Sequence, residues 1–335
     1  MRLGIAGTGK IVEDALYAIE PIGEIEVRSV FARPHSKAKG EAIAARCGHC
    51  AVYTDYAQML REAEIDTVYI GLINSAHYAY AREALMHGKH VIVEKPFTGT
   101  LAEAEELLGI AEENHLYIFE AVTVLHTEAF ARMKAAVHRL GPIRMMLANY
   151  SQYSSRYDRY LAGEVDHSLD PAYLGGALRD INIYNITYAA ALFGEPLQAK
   201  YYPNRGFNGV DTSGTLVLTY DGFSACLTGT KDSDSPCFLT VQGEKGFLHM
   251  DGKPNVAANL TVSVVDETVG ERVKDAAGAM VRQMQSSTFV SPLSEHRMTQ
   301  EFRDFARIIR EKDEAAYAEC KKALVCSLRI LEMVS

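Results

Sequence analysis

Along the first 120 residues, short apolar runs take turns with amphipathic stretches. Leu3–Ala6, Glu26–Ala32, Thr67–Leu72, His90–Val93 and Leu116–Phe119 have the length and apolar density of buried strands. Ile11–Ile19, Ser36–Cys47, Tyr56–Ala63, Ala76–His87 and Leu101–Asn114 have helical spacing. Strict alternation of the two predicts a doubly wound parallel sheet, a Rossmann α/β domain over residues 1–120.

Beyond Glu120 the pattern changes. A helix over Glu128–Leu140 ends at Gly141-Pro142, and a strand over Ile143–Tyr153 follows. A polar, tyrosine-rich loop (Ser154–Asp170) leads into a helix from Gly175 to Phe193, stopped by Gly194 and Pro196. Period-two segments then predict antiparallel strands at Thr215–Tyr220, Ala225–Thr230, Phe238–Gln242 and Phe247–Met250. Thr268–Thr288 carries no clear pattern, and helices over Glu295–Glu311 and Ala315–Met333 close the chain. Residues 121–335 thus read as an α+β domain whose final helices pack back on the first domain.

Composition narrows the function. A formal charge of −9 with no long run of one sign argues against a nucleic-acid groove or a polybasic membrane face. The N-terminus is not built like a signal peptide, and no apolar run reaches the roughly 20 residues of a membrane span, so a soluble, cytoplasmic protein is expected. The six cysteines form no framework. Cys47-Gly48-His49-Cys50 lacks a second ligand pair, so two ordinary thiols and no metal are expected.

Gly7-Thr8-Gly9-Lys10-Ile11 joins the first strand to the first helix, where a pyrophosphate needs bare backbone and unpaired helical N–H groups. A tight turn without a ligand is the plainer alternative, and Val12 stands where a third glycine is usual. The second strand ends in Ala32, Arg33, Ser36 and Lys37 with no acid to hold a ribose diol. Those cations suit a 2′-phosphate, so NADP is expected, with NAD possible. The competing reading is a solvated helix start. His90-Val91-Ile92-Val93-Glu94-Lys95-Pro96-Phe97 puts Lys95 at the carboxyl end of a buried strand, the ligand-binding edge of such sheets.

In these segments the chain resembles the Gfo/Idh/MocA family, which includes glucose–fructose oxidoreductase and myo-inositol dehydrogenase. The matching pieces are GIAGTGKIV, DTVYIGLINSAHY, GKHVIVEKPF and DPAYLGGALRDINIY, in the family's order. The resemblance implies a second domain with a large, mostly antiparallel sheet that often builds a homodimer or homotetramer. It also implies a hydride transfer at a carbinol or carbonyl carbon of a small-molecule sugar, polyol or dihydrodiol. Leu72, Asn74, His77, Glu94 and Lys95 match its cofactor-side pattern, although Ile73 replaces a usual proline. Gly175-Gly176…Asp180…Tyr184 matches its second-domain motif, with Asn182 in place of glycine. Tyrosine at 184 is similar to the glucose–fructose oxidoreductase and dihydrodiol dehydrogenase branches.

Asp180 and Tyr184 are four apart, so one helix would project both from one face. Proton relay and stabilisation of an alkoxide-like oxygen then fall to Tyr184 as acid/base, Lys95 as polariser and Asp180 as orienter, with the first two roles exchangeable. A nearby ammonium would favour the Tyr184 phenolate. The structural alternative makes Asp180 a cap and Tyr184 a core residue. Tyr153, Arg156 and Tyr157 in the polar loop, and His126, are candidate substrate contacts, against a solvated loop and a structural histidine. A catalytically silent sensor of the same fold is the rival function, with no chemical reason to keep Lys95, Asp180 and Tyr184 together. An enzyme that recycles its cofactor without release is a third.

Overall fold

A computed structural model describes residues 1–256, 259–268, 272–292 and 295–334. The first domain comprises β1 (Arg2–Ala6), α1 (Lys10–Ile19), β2 (Glu26–Phe31), α2 (Lys37–Arg46), β3 (Ala51–Tyr53), α3 (Tyr56–Glu62), β4 (Thr67–Ile70), α4 (His77–Met86), β5 (His90–Glu94), α5 (Leu101–Glu113) and β6 (Ile118–Ala121). Its parallel strands lie in the order β3-β2-β1-β4-β5-β6, so the sheet reverses direction of growth between β1 and β4. That switch point opens a crevice at the carboxyl ends of the strands. Val68, Tyr69 and Ile70, like Val91, Ile92 and Val93, are wholly buried because helices cover both faces. A reciprocal capping box between Thr100 and Glu103 starts α5.

The second domain begins with α6 (Glu128–Ala136), β7 (Ile143–Ser151), α7 (Tyr157–Leu161), α8 (Ala177–Asp180) and α9 (Ile183–Phe193). Strands β8 (Gln198–Arg205), β9 (Asp211–Tyr220), β10 (Phe223–Thr230), β11 (Phe238–Gly243), β12 (Gly246–Asp251) and β13 (Asn259–Val265) follow. A small hairpin, β14 (Val273–Lys274) with β15 (Met280–Val281), precedes β16 (Met284–Val290), and α10 (Thr299–Glu311) and α11 (Glu314–Glu332) end the fold. Eight strands form the sheet β16-β13-β12-β11-β7-β10-β9-β8, antiparallel except where β10 runs parallel to β7. Along β7, Met146, Ala148 and Tyr150 are buried while Met145, Leu147 and Asn149 are half-buried, the alternation of a sheet covered differently on its two faces.

Several features differ from the pattern reading, among them α7, a helix inside the stretch expected as a loop. β3 is only three residues long, too short to show a period. β6 starts two residues later than Leu116. β16 arises where no element was assigned; its polar face pairs with β13 through Thr261–Thr288 and Ser263–Ser286 hydroxyl contacts instead of apolar burial. Residues 269–271 of that stretch lie outside those described. The expected continuous helix from Gly175 to Phe193 is broken: the Ile181 and Asn182 N–H groups both reach the Ala177 carbonyl, which widens the turn and ends α8. Asn182 and Asn185 then donate to the Leu227 and Thr228 carbonyls of β10, holding the break against the sheet.

α10 returns to the first domain. Met298, Phe302, Phe305 and Ile308 join Leu3, Ile5, Val12 and Leu16 in one apolar layer, and the Phe305 ring stacks on Phe119 with centroids 4.6 Å apart. α11 packs against α9 and α5 together. Phe305 is fully buried, so Phe305→Ala is expected to lower the unfolding free energy by about 3–5 kcal/mol, measured by urea denaturation. A loss below about 1 kcal/mol would show that α10 does not hold this layer together.

Candidate functional site: a cleft between the two domains

The β1–α1 turn is shaped by close approach. Gly7 has φ +126°, and a Cβ there would lie 2.4 Å from the Gly71 carbonyl oxygen, so only glycine fits. Gly9 caps α1 without a side-chain hydrogen bond, which keeps the first-turn N–H groups for an anion. Val12 is tolerated in the third position because Gly71 faces it: a Cβ on Gly71 would meet the valine methyl at 2.8 Å. The departure from a three-glycine turn is thus compensated on the neighbouring strand.

This turn opens a cleft of about 700 Å³ between the domains. Gly7, Thr8, Gly9, Lys10 and Ile11 line one end, with Arg33 and Ser36 beyond them. Ala32 and Lys37 do not line it: Ala32 is buried against Gly40, and Lys37 faces outward toward Glu41 at 3.6 Å. The helical rotation that turns Lys37 away brings Lys39 in, and His35 joins it. Bare glycines, an uncapped helix end and a cluster of Arg33, Ser36 and Lys39 fit a dinucleotide bearing an extra phosphate.

Leu72 and Asn74 line the middle of the cleft, and Asn74 Nδ2 donates to the Leu174 carbonyl at 3.1 Å, tying the domains together. His77 lies beneath, not on, the surface. Its Nδ1 is 2.8 Å from the Pro96 carbonyl and its Nε2 3.1 Å from that of Leu72, so it braces both loops, and burial lowers its pKa. Glu94 lines the cleft and accepts from the Tyr69 hydroxyl at 2.8 Å.

Lys95, Asp180 and Tyr184 meet at the far end. Lys95 Nζ donates to Asp180 Oδ1 at 2.7 Å and to the Asp180 carbonyl at 2.8 Å, and it sits 5.4 Å from the centre of the Tyr184 ring. Asp180 ends α8, where a carbonyl has no helical N–H to receive; Tyr184 stands in the first turn of α9. The two are therefore brought together across a helix break, not along one helix face. Tyr150 from β7 lies beside Tyr184, with ring centres 5.7 Å apart. Burial disfavours the Lys95 ammonium, but the charge and hydrogen bond of Asp180, with Tyr184 and Glu94 beside it, together outweigh that and hold the lysine above its ordinary range. Burial likewise opposes the Asp180 carboxylate, yet two lysines hold it well below the carboxylate range.

The second of those lysines escaped the sequence reading. Lys231 is 3% exposed, follows the last residue of β10, and donates to Asp180 Oδ2 at 2.5 Å and to the Ser168 carbonyl at 2.7 Å. Its signal was a cation immediately after a half-apolar strand, the same arrangement as Lys95. Arg297, just ahead of α10, also lines the cleft, as do Tyr150, Gln152 and His167.

The loop candidates divide. Arg156 lines the cleft, 3.3 Å from Asp166. Tyr153 and Tyr157 do not: Tyr153 donates to Asp158 at 2.7 Å, and Tyr157 stacks on Tyr160. His126 is elsewhere, buried with its Nδ1 2.8 Å from Asp304 and its ring edge-on to Phe305. Its place in the connection after β6 turns it toward α10 instead of the cleft. Cys47 and Cys50 are free thiols, and burial pushes Cys50 up to about 11. Among the described residues no group of three or more His, Cys, Asp and Glu could hold a metal ion, and no helix is long and apolar enough to cross a membrane.

Fold and cleft together define a two-domain protein with an NAD(P)-binding Rossmann half. Residues 1–121 match the family described as an oxidoreductase family with an NAD-binding Rossmann fold, and residues 130–249 match the GFO/IDH/MocA C-terminal domain. The chain is 35% identical to scyllo-inositol 2-dehydrogenase (NADP(+)) IolU of Bacillus subtilis over 251 residues, 75% of this chain and 76% of the relative. It is 31% identical to dTDP-3,4-didehydro-2,6-dideoxy-alpha-D-glucose 3-reductase of Streptomyces violaceoruber, across 75% of this chain and 72% of that one. The crystal structure of KijD10, a 3-ketoreductase from Actinomadura kijaniata in complex with NADP, shares the fold with a TM-score of 0.76 at 23% identity, covering 100% of this chain and 97% of that chain. The chain belongs to the Gfo/Idh/MocA oxidoreductase family, whose members are NAD(P)-dependent dehydrogenases and reductases acting on CH–OH groups.

Beneath the cleft floor lie two buried acids, Glu301 and Glu120. Glu301 is 1% exposed with neither carboxyl oxygen hydrogen-bonded, and burial, then the charge of Glu94, raise it well above its ordinary range. Burial pushes Glu120 up to about 7, although the Phe97 N–H donates to it at 3.0 Å. The unfolded chain lets Glu120 titrate near 4.5, so the folded protein holds an extra proton between there and 7. Stability therefore declines as pH rises through that window, and the loss is complete above it. Glu120→Gln keeps an oxygen for Phe97 and cannot ionise. Its unfolding free energy is expected to gain about 3 kcal/mol on the wild type between about pH 4 and about pH 8. A difference that stays constant with pH would contradict a protonated Glu120.

Proposed function

We propose that the protein is an NADP-dependent dehydrogenase that exchanges a hydride with a carbinol or carbonyl carbon of a sugar or polyol. The observation that carries this reading is the meeting of Lys95, from the carboxyl edge of the parallel sheet, with Asp180 of the other domain at 2.7 Å, in the same cleft as the glycine turn. The nicotinamide, when bound, supplies the hydride acceptor or donor. Everything else falls to the chain. Arg33, Ser36 and Lys39 take the 2′-phosphate, and the α1 N-terminus takes the pyrophosphate.

Held charged by Asp180, Lys95 is a poor proton acceptor and a strong hydrogen-bond donor. Its role is to polarise the reacting oxygen and stabilise the negative charge that grows there. Tyr184 then carries the proton, its hydroxyl able both to donate and to accept. Asp180 keeps the ammonium in place. The substrate class is supported by the inositol and deoxysugar activities that the names of the two relatives state.

Two measurements test this. Fluorescence titration should show tighter binding of NADPH than NADH, with Arg33→Ala and Lys39→Ala each weakening NADPH by about tenfold and leaving NADH nearly unchanged. A wild-type preference for NADH would refute the cofactor assignment. Against a panel of inositols, aldoses and keto sugars, Lys95→Ala and Tyr184→Phe should each cut kcat by about 100-fold or more while NADPH still binds. Wild-type turnover in both variants would remove these residues from the chemistry.

A further inference from the structure

We infer that Lys231 is a positioning residue for this reaction: by sharing Asp180 with Lys95 it fixes that carboxylate and leaves the cluster with one uncompensated positive charge beside the reacting oxygen. The inference rests on the function proposed above and extends it to a residue outside the Lys95–Asp180–Tyr184 set.

A single lysine would suffice to pair Asp180. Here each carboxylate oxygen has its own ammonium, Lys95 on Oδ1 at 2.7 Å and Lys231 on Oδ2 at 2.5 Å. Lys231 is held in turn by the Ser168 carbonyl at 2.7 Å. Burying a second ammonium is unfavourable unless its charge is used, because desolvation of each ion costs several kcal/mol. Two cations on one anion also give a different cleft from a neutral pair. The negative charge of Asp180 is spent on both, and the surplus positive charge faces the same space as Tyr184 and Tyr150.

Other charged and titratable groups face this cluster. Glu94 comes from β5, Tyr150 from β7, Asp211 from β9 and Arg297 from the segment before α10. Arg156 and His167 share the cleft wall, but Arg156 is paired with Asp166. Asp211 is engaged by the Leu178 N–H at 2.7 Å and the Tyr201 hydroxyl at 2.7 Å. None of these carboxylates bonds Lys231 in place of Asp180.

The charge acts on the proton step. Oxidation of a hydroxyl proceeds only when the cleft's acceptor is free of its proton, and a nearby ammonium favours the deprotonated form of that acceptor. Removing the Lys231 charge therefore moves the rising limb of the kcat/KM–pH profile to higher pH. Lys231→Gln retains hydrogen-bonding capacity without charge, Lys231→Met removes both, and Lys231→Arg keeps the charge.

The experiment records polyol oxidation across pH for the wild type and the three variants, with NADPH affinity and thermal unfolding measured on each. In the Gln and Met variants the limb should rise by about one pH unit and kcat should fall about tenfold, with KM and NADPH affinity little changed. The Arg variant should bring the limb back. A folded neutral variant whose limb stays at the wild-type position would overturn the inference, as would an Arg variant displaced as far as the Gln one. Neutral variants unable to fold would also overturn it, by assigning Lys231 to the fold alone. A wild type inactive on every polyol and sugar would instead overturn the proposed function, and this inference with it.

Discussion

One carboxylate held between two ammonium groups organises the cleft. Asp180 belongs to a four-residue helix, Lys95 to the end of a strand in the other domain, and Lys231 to the end of a strand in the second sheet. Lys231 alone would be a costly buried ion, and Lys95 and Asp180 are half-buried beside it. Together they make a three-point tie between two sheets, and no one of the three can move without leaving a charge unsatisfied. One end of the cleft is therefore shaped by electrostatics across the seam, while the other is shaped by backbone sterics at Gly7 and Gly71.

Much of this was legible in the residues, for identifiable reasons. Alternating strands and helices are driven by local periodicity, which is why the first domain could be read almost element by element. Lys95 could be found because a cation directly after a buried strand has little other reason to be there. What escaped was set by neighbours distant in sequence. Val12 looked like a defect in the turn until Gly71 stood opposite it. Lys37 was expected in the phosphate cluster, but two residues of helix rotation exchanged it for Lys39. The break at Ile181-Asn182 depends on carbonyls of β10 some 45 residues away in the chain. β16 pairs by hydroxyl contacts, which leave no hydrophobic alternation to detect.

The distribution of charge divides the cleft from its floor. Cations line the surface, among them Lys10, Arg33, Lys39, Lys231 and Arg297. The acids Glu120 and Glu301 lie below with raised proton affinity, and Glu94, itself shifted upward by burial, stands at the boundary. Raised proton affinity lessens the negative charge that these acids hold beneath the positive surface. Cations also outnumber the acids Asp14, Glu94 and Asp180 along the cleft wall, although the chain as a whole is acidic.

The return of α10 has a consequence for inheritance. Thr299 Oγ1 donates to the Ala18 carbonyl at 3.0 Å, and the helix behind it completes the apolar layer over β1 and α1. A nucleotide-binding half cut after β6 would leave that layer open to water, a patch prone to aggregation. A nucleotide-binding half exchanged between relatives would therefore need to bring residues 299–311 with it to keep that layer closed.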